Sequence, residues 1–289
     1  MLRERRPEAK ENAQASFAAL LEPSTPGTFS YAERYAIATF VAGVYQATPA
    51  VAFYSDLLAE ESEELAVEIS RAVESGITTG PYIDGGFTLF EVSQRLAAAL
   101  DFAHLLVFHP KDASPAAIGH LQAAGWSDDD IVTLAQLVSF LSFQLRVAHG
   151  LSVLAGTAQP APVTEAPRPT QTPEWVPGEG TLVPDVAKPQ GFVAHSLGWK
   201  PWVPPQPKEE FTDAQRDALI KPERIDMEYF RLLARDPAAL KARTLTDLDI
   251  FYNTDGGLGR AERELAATVV SRLNGCEYCA SVHQQRAKE

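Results

Sequence analysis

Ala32-Glu33-Arg34-Tyr35-Ala36-Ile37-Ala38-Thr39-Phe40-Val41 returns late in the chain as Ala261-Glu262-Arg263-Glu264-Leu265-Ala266-Ala267-Thr268-Val269-Val270. Six of these ten positions are identical, at a constant offset of 229. Each copy follows a residue suited to start a helix, Ser30 or Gly259, and neither alternates in the manner of a strand. The pair predicts a duplicated helical unit. Ser30 with Glu33 has capping-box spacing, as has Thr212 with Gln215. Ser114 puts a capping hydroxyl before Pro115 at a first helical position, and Ser127 with Asp130 is a further start. Leu134, Leu137, Val138, Leu141 and Leu145 then recur at helical spacing. The fold class expected is all-α.

Three segments follow from composition. Residues 1–156 read as one helical domain and residues 209–289 as a second. Residues 157–208 hold 12 of the 21 prolines, which cannot continue a helix interior. Three of the four tryptophans, Trp175, Trp199 and Trp202, also fall there. Side chains of that size gain much by burial, so this proline-rich linker is expected to dock as an extended arm.

The chain carries 25 Lys+Arg against 38 Asp+Glu, a formal charge of −13. A protein that tracks phosphates needs a basic footprint, so a nucleic-acid partner is not expected. No long unbroken apolar run is present, and the polar start Met1-Leu2-Arg3-Glu4-Arg5-Arg6-Pro7 lacks the apolar core of a secretory signal. The expectation is a cytoplasmic protein with no membrane span.

Only two cysteines occur, Cys276 and Cys279. A disulfide at this spacing closes almost no loop, so the pair reads as chemistry rather than as a staple. In Asn274-Gly275-Cys276-Glu277-Tyr278-Cys279-Ala280-Ser281-Val282-His283, the Asn-Gly step is suited to end one helix. Cys276 then stands at the N-terminus of the next, where the dipole favours a thiolate. His283, four residues after Cys279, shares its face. Glu264, on the preceding helix, reaches the same place if the two helices fold together. A carboxylate beside an imidazole sets its tautomer and supports its protonated form. Zinc would need His283 and Glu264 as added ligands, and structural zinc prefers Cys and His, so no metal is expected. The offset of 229 pairs these four with Tyr35, Ala47, Ala50 and Tyr54. The first copy therefore reads as a structural partner and the second as the reactive one. The remaining histidines of the first copy, His104, His109, His120 and His149, read as packing or surface residues.

Glu264 followed by Cys276-x-x-Cys279-x-x-x-His283 resembles the motif of the alkylhydroperoxidase-D-like branch of the carboxymuconolactone decarboxylase superfamily. The run Ala261 to Cys276 and the earlier Tyr229-Phe230-Arg231-Leu232-Leu233-Ala234-Arg235-Asp236-Pro237 are similar to its peroxidase-related members. The resemblance is specific over residues 227–289 and weaker over 29–156. It implies an all-helical homo-oligomer with no cofactor, acting on a peroxide and regenerated by a thiol or dithiol reductant. It further implies that Cys279 attacks, that Cys276 donates a proton and then resolves the sulfenic acid, and that Glu264 and His283 relay protons. Where the best-known members have a histidine before the second cysteine, this chain has Tyr278. The second copy is also expected to be truncated. The first continues for about a hundred residues past Tyr54, and the second ends shortly after His283. Leu134 to Leu145 are expected to cover the reactive helix. The function expected is that of a thiol-dependent peroxidase or dithiol–disulfide oxidoreductase. The alternatives are a lyase of the decarboxylase branch, which needs no dithiol, and a non-catalytic scaffold with a relic motif.

Overall fold

The computed structural model describes residues 2–77, 87, 90–158, 195, 197–253, 255 and 257–289. Most of the expected arm, and Trp175 with it, lies outside them. The helices run α1 (Pro7–Leu21), α2 (Tyr31–Val44), α3 (Thr48–Glu61), α4 (Glu63–Gly76), α5 (Gln94–Phe108), α6 (Pro115–Ala123), α7 (Asp128–Leu154), α8 (Asp213–Ala218), α9 (Glu228–Leu233), α10 (Pro237–Tyr252), α11 (Arg260–Leu273) and α12 (Glu277–Lys288). No strand occurs among the described residues, and the fold is all-α.

The capping signals act locally. The Ser30 hydroxyl accepts the Glu33 N–H while the Glu33 carboxylate accepts the Ser30 N–H, and Thr212 with Gln215 does the same. Ser127 accepts the Asp130 N–H and starts α7. Ser114 stands at the N-cap of α6, but its hydroxyl makes no cap bond; Pro115 alone supplies the starting geometry there.

The duplication extends beyond the sequence match. The helices α2 and α11 have 14 residues each, and α3 and α12 begin at the same offset of 229 from one another. The shared arginine explains part of the shared sequence. Arg34 donates from Nε to the Phe29 carbonyl at 2.9 Å and from Nη1 to the Leu20 carbonyl at 2.5 Å. Arg263 donates from Nε to the Leu258 carbonyl and from Nη1 to the Ile250 carbonyl, both at 2.7 Å. In each copy one guanidinium ties the end of the first helix to the start of the second, satisfying carbonyls that would otherwise be orphaned. The repeated core is thus three helices, α1–α3 and α10–α12; α4–α7 complete the first unit, and the two units pack through α1 against α10.

The first unit is enclosed and the second is not. Helix α2 packs against α4, α5 and α7, and buries Ala36, Phe40, Val41 and Val44. The residues at the same positions of α11 are Leu265, Val269, Val270 and Leu273, and these are 56, 53, 56 and 73% exposed. Contrary to the expectation from sequence, Leu134, Leu137, Val138, Leu141 and Leu145 do not cover α12. They are buried in the core of the first unit, because α7 packs on α1, α2 and α5. Helix α7 is long and apolar enough to cross a bilayer by composition, but 56% of its most apolar window is buried in the protein, as in a core helix.

The described end of the proline-rich segment docks. Val203 is buried and Trp202 packs on the main core, while the Leu197 N–H donates to the Ser281 hydroxyl at 2.9 Å. This pins residues 197–203 between α12 and the first unit.

Candidate active site: the Cys276–Cys279 dithiol

The turn between α11 and α12 sets the site. Gly275 adopts φ 76°, the left-handed conformation that ends a helix. A β-carbon there would lie 2.7 Å from Cβ of Lys111, so the turn sits directly on the first unit. The counterpart of Gly275 in the first copy is Gln46, also left-handed at φ 55°. The hairpin places Cys276 at the N-cap of α12, where its sulfur accepts the Cys279 N–H at 3.3 Å.

The two thiols differ sharply. Cys276 is pulled down to about 7, chiefly because the Cys279 thiol donates a hydrogen bond to it. The Cys279 backbone N–H adds to this, while burial works the other way. Cys279 is pushed well up: it is the donor to Cys276, it is buried, and it faces the negative charge of Cys276, and these outweigh the downward pull of nearby Arg243 and of a backbone N–H. Above about pH 7 the pair holds one proton between two sulfurs.

Behind the dithiol, His283 Nδ1 and Glu264 Oε2 are 2.7 Å apart. Glu264 is fully buried, and Arg260 stands 3.6 Å from its other oxygen. With the carboxylate ionised, Nδ1 carries the hydrogen and donates it, leaving Nε2 as the acceptor. The imidazole lies on the ring of Phe251 at a centroid distance of 5.3 Å, which fixes its plane. All four residues expected from sequence are thus on one helical hairpin, with Glu264 and His283 in direct contact.

Further side chains border the site, and one of them escapes the sequence reading. Tyr229 from α9, Tyr278 from α12 and Trp199 from the arm form an aromatic cluster with ring centroids 5.6–6.4 Å apart. Arg243 from α10 donates to the Tyr229 hydroxyl at 2.8 Å and acts electrostatically on Cys279. Tyr229 opens the run to Pro237 that carries part of the family resemblance, and Trp199 was expected to dock, but nothing in the sequence marks Arg243. Cys276 opens on a cavity of about 320 Å³ walled by Trp199, Trp202 and Ile131. A second cavity of about 450 Å³ adjoins it, sharing Val132, Ala135 and Leu232 and reaching Arg243 and Tyr229.

The first copy has no such chemistry. Tyr35 and Tyr54 are buried in place of Glu264 and His283, and burial pushes both phenols up. The Tyr54 hydroxyl donates to Gln144 Oε1 at 2.9 Å. His104 is buried against the Gly76 carbonyl at 3.0 Å, His109 and His120 lie beside Asp112 and Asp101, and His149 is exposed. Among the described residues no group of three or more histidine, cysteine and acidic side chains is arranged to hold a metal ion.

Residues 237–289 match the carboxymuconolactone decarboxylase family. The match is confined to this C-terminal unit, and the family matched lies within the alkylhydroperoxidase-D-like superfamily. The matched segment begins at the first residue of α10 and so covers the whole three-helix unit that the packing defines. Members of the carboxymuconolactone decarboxylase family are enzymes, decarboxylases or peroxidases. No curated protein and no solved structure matches the chain.

Proposed function

We propose that this chain is a thiol-dependent peroxidase, in which Cys276 and Cys279 reduce a peroxide and are restored by a thiol or dithiol reductant. The observation that carries the reading is a buried carboxylate in contact with an imidazole on the face of the helix that begins at the dithiol. A decarboxylase has no use for a second thiol, and a relic would have no need of a buried Glu264 held against His283.

The cycle starts with Cys276 as thiolate and with its lost proton held by His283. The proton that Cys279 shares with Cys276 passes over to Cys276, leaving a Cys279 thiolate beside Arg243. That thiolate attacks the terminal peroxide oxygen: an S–O bond forms, the O–O bond breaks, and Cys276 gives its proton to the departing alkoxide. The Cys276 thiolate then attacks the Cys279 sulfenic acid. An S–S bond forms, the S–O bond breaks, and the hydroxide takes the proton of His283 to leave as water. Two thiols and one hydroperoxide thus give one disulfide, one alcohol and one water.

The test is trapping by dimedone after a single addition of peroxide. The Cys276→Ser variant is expected to accumulate a dimedone adduct at Cys279, and the Cys279→Ser variant is expected to give none. The reverse pattern would exchange the roles of the two sulfurs, and no adduct in either variant would overturn the peroxidase reading.

A further inference from the structure

The 450 Å³ cavity lies between α1, α7 and α10 and is closed at one side by α9. Its walls are largely apolar, with Leu20, Phe140 and Ile250 among them. Gln136 of α7 interrupts them. Its side chain is 8% exposed and lines the cavity, yet neither its amide nitrogen nor its amide oxygen has a hydrogen-bond partner among the described residues. Buried amides are normally paired, because an unpaired one forfeits its hydration without return. An apolar chamber with one unpaired donor–acceptor group in its wall has the make-up of a small-molecule site. The volume is within the range of such sites.

We infer that this cavity binds an uncharged organic molecule, apolar over most of its surface, whose hydroxyl or hydroperoxyl group pairs with Gln136. A group of that kind donates and accepts through one oxygen, and so matches both ends of the amide. A strongly anionic ligand is not called for, because Arg243, the cation in the wall, already bonds Tyr229 and faces Asp247. At Val132, Ala135 and Leu232 the cavity meets the smaller one that Cys276 lines, which connects it to the dithiol. The site is composite, since α1 and α7 come from the first unit and α10 from the second. This gives the silent copy a role in selecting what reaches the dithiol. As a substrate site the cavity rests on the peroxidase reading; as a binding site it does not.

The test is calorimetric titration of the reduced full chain with 2-phenylethanol and with ethylbenzene, the same body without the hydroxyl. The wild type is expected to bind the alcohol more tightly than the hydrocarbon by roughly tenfold, the effect of a pair of neutral hydrogen bonds. Gln136→Leu keeps the volume and is expected to abolish that preference while still binding ethylbenzene. Ser139→Trp, at a solvent-exposed position on the cavity rim, is expected to block both probes. Thermal melts check that both variants fold. A chamber that takes up neither probe, or a preference for the alcohol that survives Gln136→Leu, would overturn the inference. Gln136-dependent binding without consumption of any hydroperoxide would leave the ligand site standing and remove the peroxidase reading.

Discussion

Cys276 owes its low pKa to one neighbour acting twice, through the thiol and the backbone N–H of Cys279. The thiolate is present above about 7 and is lost as the pH falls through that value. Iodoacetamide alkylation of Cys276 should therefore rise with a midpoint near 7. Cys279→Ala removes the larger of the two donors and should move that midpoint upward. The first whole pH step it moves should slow alkylation at neutral pH by about fivefold, and each further step by about tenfold. Cys279→Ser keeps a donor and should move it less. Glu264→Gln should cut peroxide turnover by at least about tenfold, because the imidazole loses the partner that fixes its tautomer; stopped-flow peroxide consumption measures this. An equal turnover in Glu264→Gln would mean that the buried carboxylate serves packing alone.

At the scale of helices, the two copies differ at the turn between their second and third helices. Gly275 is needed both for its left-handed φ and for its approach to Lys111. Gly275→Ala should destabilise the protein by about 1–3 kcal/mol and disturb the position of Cys276. Gln46→Gly, at the corresponding turn, should relieve strain by up to about 1 kcal/mol. Urea unfolding of both variants checks the opposite signs. Helix starts were legible in sequence because a cap is a local event: Ser30, Ser127 and Thr212 bond residues three positions away. The dithiol hairpin was legible for the same reason, since Glu264, Cys276, Cys279 and His283 lie within twenty residues of one another. Arg243 was not, because only the packing of α10 brings an ordinary helical arginine to Cys279. The face from Leu134 to Leu145 shows the other limit. An apolar stripe announces that something covers it, not which helix does.

For the whole molecule, the duplication divides labour. The first unit is a closed core, and it lends Lys111 to the turn at Gly275 and α7 to the cavities beside the dithiol. Residues 209–289 expressed alone would lose these contacts while keeping the exposed stripe of Leu265, Val269, Val270 and Leu273. That fragment should aggregate or melt without cooperativity. In the full chain, Val269→Lys should lower concentration-dependent light scattering without lowering the melting temperature, since the side chain it replaces packs on little.

The central claim is that one dithiol, tuned by its own helix end and backed by Glu264 and His283, reduces peroxide within this chain. It is tested most directly by counting free thiols in the intact reduced protein before and after one equivalent of hydroperoxide. The account predicts that both thiols disappear together, that one alcohol or water is released for each pair, and that dithiothreitol restores both. Two thiols still titratable after the peroxide has been supplied would contradict it.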